Sequence, residues 1–206
     1  MNIYLTGPDG SGKSTLLDAI KNEFRNRGIK TTTVWIRSPK IFSKPLMAYC
    51  RLMGYTKYFV KDGVKYGYHD FSRSKLVSFV FPILQYFDLR ITLLFRKKNN
   101  GVILYDRFVL DTLADLMVST RHLNLHKTII GRLFLSLMPS STKVFVIMVD
   151  ESIIRQRKLD TLHDPNLSVK LRVYDILAKD LGFDIINNNG KIDETLITLK
   201  NKIFYR

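Results

Sequence analysis

The sequence predicts an α/β protein with a five-stranded parallel sheet and helices on both faces. Short runs of apolar and β-branched residues alternate along the chain with longer segments in which apolar residues recur at helical spacing. Strands that are separated by helices form parallel sheets covered on both faces, which gives a three-layer sandwich. A chain of 206 residues is long enough for one such domain. We therefore predict a single domain over residues 1–206.

The predicted elements follow one another in a regular order. The five strands are expected at residues 3–6, 31–36, 102–105, 143–149 and 183–186. The first helix follows the first strand, with Leu16, Leu17, Ile20 and Phe24 on one face. Further helices are expected in the ranges 45–54, 72–95, 110–118, 127–137, 152–159, 166–181 and 192–203. The segment 72–95 reads as one or two helices with a kink near Pro82.

Positive charge is concentrated in one segment. The net charge is +15, and residues 37–98 carry thirteen Lys or Arg against three Asp, a net of +10. This basic, aromatic-rich insert, at about residues 40–98, contains either a loop or a hairpin turning at Asp62-Gly63. Its aromatics alternate with basic residues, so they either stack on bases or pack on the domain. The charge is typical of a solvated face, a nucleic-acid site, an anionic membrane site or a site for a phosphorylated substrate.

The remaining composition points to a cytoplasmic protein. Cys50 is the single cysteine, so the chain forms no internal disulfide and no cysteine-based metal site. A strand begins at residue 3 with no signal-peptide pattern before it. The apolar stretch 76–87 is too short to span a bilayer. The adjacent His69 and Asp70 are interpreted as structural residues.

A phosphate-binding loop follows the first predicted strand. The pattern is Gly, four residues, then Gly-Lys-Ser, and its nine residues are Gly7, Pro8, Asp9, Gly10, Ser11, Gly12, Lys13, Ser14 and Thr15. Such a loop turns backbone N–H groups toward a triphosphate at a helix N-terminus. Lys13 is expected to reach the β- and γ-phosphates, and the Ser14 hydroxyl to bind Mg²⁺. The fold class is therefore of the P-loop NTPase type, with ATP as the expected ligand.

Charged residues follow the other strands at the same edge of the predicted sheet. Asp106 ends the third strand, where its carboxylate is expected to hold Mg²⁺ or its water. Arg107 beside it is expected to hold a phosphate group through its two-pronged guanidinium. Arg37, which ends the second strand, is expected to contact the acceptor. Asp88 and Arg90 are either substrate contacts or an ordinary solvated pair.

A lid-like segment is expected at about residues 151–165, after the fourth strand. It carries Arg155, Arg157 and Lys158 in a short helix. Basic residues in such a segment can close over the triphosphate and neutralise charge on the transferred group. Arg155 and Arg157 are therefore the candidates for bracing the transition state, unless this helix is only a solvated basic one.

The chain resembles the thymidylate kinase family, within the nucleoside monophosphate kinases. The phosphate loop with Asp9, the Asp106-Arg107-Phe108 sequence and Arg37-Ser38-Pro39 carry the resemblance. It implies that Asp9 contacts the acceptor sugar or a residue beside it. It also implies that Arg37 faces the acceptor phosphate and that the catalytic arginine comes from the lid. A homodimer is implied as well.

Some family positions differ in this sequence. Ser38 stands where an acidic residue is common, and Phe87-Asp88-Leu89-Arg90 matches the thymine-reading pair only with altered spacing. The main hypothesis is an ATP- and Mg²⁺-dependent kinase acting on a nucleoside monophosphate, dTMP first, or on another phosphorylated acceptor. The alternatives are a P-loop protein or kinase acting on nucleic acid through the insert, and a peripheral membrane kinase with a lipid-linked acceptor.

Overall fold

The computed structural model describes residues 1–36, 40–95, 101–158 and 161–205. The strands in these ranges are β1 (Asn2–Thr6), β2 (Thr31–Val34), β3 (Thr56–Lys61), β4 (Val64–His69), β5 (Val102–Asp106), β6 (Thr142–Met148) and β7 (Asp184–Asn187). The helices in the same ranges are α1 (Lys13–Asn26), α2 (Ser43–Leu52), α3 (Lys75–Leu94), α4 (Val109–Thr120), α5 (Ile129–Ser136), α6 (Glu151–Arg157), α7 (Leu167–Leu181) and α8 (Ile192–Phe204).

The central sheet has five parallel strands in the order β2-β5-β1-β6-β7. β1 lies in the middle, and its Tyr4 is level with Tyr105 of β5 on one side and with Val144 of β6 on the other. The predicted three-layer α/β fold is confirmed. Because the strands are parallel, their carboxyl ends meet at one edge. The chain leaves β1 toward β2 on one side of the sheet and leaves β5 toward β6 on the other side. In open parallel sheets, ligands bind at the carboxyl ends of the strands, next to the point where the connections change direction.

The two faces of β1 belong to two different parts of the core. Successive side chains of a strand point to opposite faces. Ile3 and Leu5 pack on one face with Leu16 of α1 and Leu199 of α8. Tyr4 belongs to the other face, which packs against α3, α4 and α7. A polar group on Tyr4 is therefore buried between the sheet and the helix layer that follows β5.

The basic insert contains a β-hairpin, as one of the two sequence interpretations predicted. β3 and β4 pair antiparallel and turn at Asp62 and Gly63, with φ of 50° and 74°. Two consecutive residues with positive φ are typical of a tight two-residue hairpin turn. Phe59 stacks on Tyr66 with ring centroids 5.1 Å apart, and Tyr66 is buried. These two rings therefore pack within the protein.

The segment predicted as one or two helices is one continuous helix, α3, with Pro82 inside it. By length and a mean hydropathy of 1.4 it could cross a membrane, although core helices pass the same test. Val77, Phe81 and Leu89 on α3 are buried in the core of the domain. We therefore interpret α3 as a core helix with one exposed side.

Candidate active site

The phosphate loop joins β1 to α1 at the carboxyl edge of the sheet. Gly7, with φ of 143°, lies so close to β6 that an added Cβ would sit 2.3 Å from the carbonyl oxygen of Ile147. Gly12, with φ of 87°, would place a Cβ 2.6 Å from the Asn188 amide nitrogen. Glycine is required at both positions for conformation and for space. The sequence pattern thus corresponds to a loop held tightly between neighbouring elements.

Lys13 is buried at the start of α1, and its side chain lies inside the loop. Its ammonium group donates to the carbonyl oxygens of Gly7, at 2.8 Å, and Pro8, at 2.7 Å. It also lies 3.5 Å from the Ser11 hydroxyl. The charge is therefore held within the curve of the loop, next to the N-terminus of α1, where anions bind favourably.

Ser14 and Asp106 come together although they are 92 positions apart. The Ser14 hydroxyl donates to the Asp106 carboxylate over 3.2 Å. Hydroxyl and carboxylate oxygens suit Mg²⁺, which takes few protein ligands and completes its shell with water and phosphate oxygens. No group of three or more His, Cys, Asp or Glu that could hold a metal occurs in the described residues. The pair therefore fits Mg²⁺ bound together with a phosphate chain.

Arg107 is held between two carboxylates at the same edge. It forms an ion pair with Asp9 of the phosphate loop, and its other terminal nitrogen lies 3.5 Å from an Asp111 oxygen. Its φ is 80°, an uncommon conformation for a residue with a side chain. The Arg107 carbonyl accepts from the N–H of Ile36, next to the end of β2. The structure thus brings two predicted acceptor residues, Asp9 and Arg107, into direct contact.

Asp111 is the centre of a buried network that the sequence did not predict. One of its oxygens accepts from Tyr4, at 2.5 Å, and from the Phe108 N–H, at 3.1 Å. The other accepts from the Thr6 hydroxyl and from the Tyr174 hydroxyl. Its position three residues after Phe108, in the first turn of α4, is the signal that could have indicated a capping role.

The Tyr4 hydroxyl caps the N-terminus of α4. Besides donating to Asp111, it accepts from the N–H groups of Phe108, at 3.2 Å, and Asp111, at 3.0 Å. Burial, and then the Asp111 charge, raise the pKa of Tyr4 well above its usual range, and the same two causes raise the pKa of Tyr174. Both phenols therefore stay protonated and keep donating to Asp111. The network fixes the turn that carries Arg107.

The turn at residues 187–189 also belongs to the site, and it was not singled out in the sequence analysis. The Asn188 amide donates to the Ser11 carbonyl of the phosphate loop at 2.8 Å. Its oxygen accepts from the Thr195 hydroxyl, and the oxygen of Asn189 accepts from the Asp150 N–H. This turn therefore links the phosphate loop to α8 and to the start of α6.

The two lid arginines occupy different environments. The Arg155 guanidinium donates to Glu151, to the carbonyls of Thr161 and Leu162, and at 3.5 Å to that of Asp164. Arg157 is exposed, and its guanidinium donates to the Asn188 carbonyl at 2.9 Å, beside the phosphate loop. α6 itself lies against the loop, because a Cβ on Gly10 would be 3.1 Å from an Ile154 methyl group. Arg155 therefore holds together the segment of residues 151–158 and 161–164, while Arg157 lies next to the loop.

Asp88 is fully buried, so the interpretation of Asp88 and Arg90 as a solvated pair is wrong. Its carboxylate accepts from the N–H groups of Phe42 and Ser43, from the Ser43 hydroxyl and from the Gln85 amide. Asp88 therefore caps the N-terminus of α2 from α3. Arg90 is exposed and donates to the Tyr86 hydroxyl at 2.8 Å. Arg37, the third predicted acceptor contact, lies outside the described residues.

A cavity of about 320 Å³ lies beside α4, the helix that begins two residues after Arg107. Its walls come from α2, α3, α4, the hairpin strand β4 and the beginning of α7. They include Lys40, Gln85, Thr112, Asp115 and Lys170. The size matches the lower end of small-molecule sites. The mixture of charged, amide and hydroxyl groups suits a polar, charged ligand.

His69 lies in the wall of this cavity. Its Nδ1 is hydrogen-bonded to the Thr56 hydroxyl at 2.9 Å, and its ring stacks on Phe71. Burial, followed by the positive charges of Lys40 and Arg51, lowers the pKa of His69 to about 4. The imidazole is therefore neutral at physiological pH. These contacts agree with a structural role.

Comparison with known proteins identifies the fold. No protein-family profile matches the chain, and no curated protein matches it. Among solved structures, the chain is similar to the crystal structure of thymidylate kinase from Ehrlichia chaffeensis, with 15% identity and a TM-score of 0.53. The match covers 98% of this chain and 97% of that chain. The thymidylate kinase-like fold that the motifs indicated is therefore confirmed over the whole chain.

Proposed function

We propose that this protein is an ATP- and Mg²⁺-dependent kinase that transfers the γ-phosphoryl group to a nucleoside monophosphate, with dTMP as the first candidate. The observation that carries the proposal is the Ser14–Asp106 contact of 3.2 Å at the mouth of the phosphate loop. A hydroxyl from the loop and a carboxylate from the neighbouring strand are the protein ligands that P-loop kinases need for a metal. The whole chain would then act as one kinase domain.

The donor side uses the loop and the start of α1. The loop N–H groups and the helix N-terminus would bind the phosphates of ATP. The ammonium of Lys13 would leave the Gly7 and Pro8 carbonyls to contact the β- and γ-phosphates. Ser14 and Asp106 would hold Mg²⁺, which when bound neutralises charge on the transferred group. The Asn188 amide supports the shape of the loop by donating to the Ser11 carbonyl.

The acceptor side uses Arg107 and the 320 Å³ cavity. Arg107 is aligned by Asp9 and Asp111, and its planar guanidinium suits an acceptor phosphate. A nucleoside portion would then occupy the cavity beside α4, among polar groups such as Thr112 and Asp115. In-line transfer requires donor and acceptor phosphates side by side. The position of Arg107 next to the loop residue Asp9 supports this arrangement.

Arg157 is the better candidate for a catalytic arginine from the lid. The Arg155 guanidinium donates hydrogen bonds to four residues of the lid-like segment, and moving the side chain would break these bonds. Arg157 donates a hydrogen bond to the Asn188 carbonyl, beside the phosphate loop. A small side-chain movement would let it reach a transferring phosphoryl group. Arg155 then acts as a positioning residue for the lid.

The proposal is tested by ADP production from ATP and Mg²⁺ with a panel of acceptors. The panel contains dTMP, the other nucleoside monophosphates, and short single-stranded DNA and RNA. We expect turnover with a nucleoside monophosphate and a loss of at least about a hundredfold in Lys13→Ala, because the lysine charge acts on the transferred group. Turnover only with the polynucleotides, or Lys13→Ala with near-normal activity, would refute the proposal.

A further inference from the structure

The hairpin β3–β4 touches the lid directly. Asp62, at the tip of the hairpin, is bonded to the Nε2 atom of His163, which lies after α6, at 2.6 Å. The ring of Tyr66 meets the ring of His163 edge to face, with centroids 5.8 Å apart. Tyr66 is itself stacked on Phe59 within the hairpin. One polar and one aromatic contact thus join two segments that lie about a hundred positions apart in the chain.

The same two segments form walls of the cavity beside α4. The hairpin contributes Gly67, Tyr68 and His69. The chain that follows His163 contributes Asp164, Asn166 and Lys170. The Asp62–His163 contact therefore joins the two segments that supply these walls. Separating them would widen the cavity.

Each wall is braced by hydrogen bonds or ion pairs within its own segment. At the base of the hairpin, the N–H of Asp70 donates to the carbonyl of Tyr55, and Thr56 is bonded to His69. In the lid, Lys170 pairs with Asp164 over 2.7 Å, and Arg155 donates to the carbonyl of Thr161. Because Arg155 belongs to α6, which lies against the phosphate loop, the acceptor wall is linked to the donor side.

We infer that the β3–β4 hairpin is an acceptor-specificity segment: docked on the lid through Asp62 and His163, it closes the nucleoside end of the cavity and restricts the acceptor to a single mononucleotide. This inference rests on the proposed function. It gives the basic insert a role that requires no nucleic acid or membrane. A polymer would need an open channel at the place where the hairpin and the lid meet.

The energetics of the contact set the expected size of the effect. The Asp62 side chain is 67% exposed, and an exposed contact between polar side chains contributes little to global stability. Its loss should instead change how often the two walls separate, and such a change appears in the affinity for the ligand that they enclose. We expect Asp62→Ala to fold normally and to raise the acceptor KM about three- to tenfold.

The experiment measures steady-state kinetics of Asp62→Ala, His163→Ala and the double variant. The control is Asp175→Ala, which removes another exposed carboxylate, paired with Lys179 on α7. We expect a raised acceptor KM in both single variants, little further rise in the double variant, and an ATP KM within about twofold of wild type. Acceptor-independent ATP hydrolysis should rise too, because an open site admits water.

A second variant tests the size restriction. Residues 59–66 are replaced by an Asn-Gly turn, which shortens the hairpin but keeps strand ends able to pair. We expect it to phosphorylate dinucleotides that the wild type rejects. If wild-type turnover is present but all the constants of these variants match those of Asp175→Ala, the inference is overturned while the proposed function stands. If the wild type itself turns over no acceptor, both are overturned.

Discussion

The buried network around Asp111 makes a quantitative prediction for Tyr4→Phe. This substitution removes a single oxygen atom and keeps the ring, so the packing of β1 against α4 is preserved. The oxygen donates to Asp111 at 2.5 Å and accepts from the N–H groups of Phe108 and Asp111. The Phe108 N–H keeps a second acceptor, the Asp111 carboxylate at 3.1 Å. The Asp111 N–H loses the acceptor that Tyr4 provides.

Two losses determine the expected change in the free energy of unfolding. A hydrogen bond to a charged group contributes about 1.5–3 kcal/mol, and a buried donor left without an acceptor costs about 1–3 kcal/mol. We therefore expect Tyr4→Phe to destabilise the protein by about 3–5 kcal/mol. Tyr174→Phe removes only the donation to Asp111 at 3.0 Å, so about 1.5–3 kcal/mol is expected. The two effects should not add, because both hydroxyls bond the same carboxylate.

Equilibrium denaturation in urea measures these differences. The matched control is Tyr49→Phe, on the exposed side of α2, for which a change within about 0.5 kcal/mol is expected. For a chain of this size, a loss of 3–5 kcal/mol lowers the melting temperature by roughly 6–20 °C. If Tyr4→Phe loses less than about 1 kcal/mol, or no more than Tyr49→Phe, the hydroxyl does not hold α4 and the reasoning fails.

Two further predictions concern Asp88 and His69. Asp88→Ala leaves the capped N–H groups of α2 without their acceptor, so we expect the free energy of unfolding, measured in urea, to fall by about 2–4 kcal/mol. The kcat and the acceptor KM of the folded protein should not change. A large rise in acceptor KM would instead support the substrate contact that the sequence offered as one interpretation. The pKa of His69 is lowered to about 4, so the unfolded state binds more protons between pH 6.5 and 4 and stability falls as pH falls through this window. His69→Gln should reduce that slope by at most about 1.4 kcal/mol per pH unit, and by less than this because the side chain is only partly buried. An unchanged slope in pH-dependent denaturation would contradict the lowered pKa of His69.

The sequence determined the fold class and the outline of the donor site. Alternating strand and helix patterns predicted the five-stranded parallel sheet, because burial on both faces produces short, continuous apolar strands. The phosphate loop was recognisable because each of its special positions is a local requirement: a glycine where φ is positive and a lysine at the start of a helix. Ser14 and Asp106 could be paired in advance, since both follow strands that end at one edge.

Other features depended on contacts between distant parts of the chain. The sequence left Asp88 open as a substrate contact or a solvated residue and assigned no role to Asp111, yet each one is buried as the cap of a helix terminus. Only the packing of α3 on α2, and of β1 on α4, brings the donors to them. Asn188 lies after the last predicted strand, and its hydrogen bond to the phosphate loop spans 177 positions.

The same distinction applies to the basic insert. A hairpin could be foreseen from Asp62-Gly63, because turn residues act locally. The contact of Asp62 with His163 joins residues 101 positions apart, and no local sequence pattern predicts a contact between residues so far apart in the chain. Local conformational preferences and hydrophobic periodicity are properties of neighbouring residues, so the sequence alone determined the elements and the phosphate loop. Which polar groups are buried together, and which walls enclose the cavity, were decided by the tertiary structure, since only folding brings those distant partners within hydrogen-bonding distance.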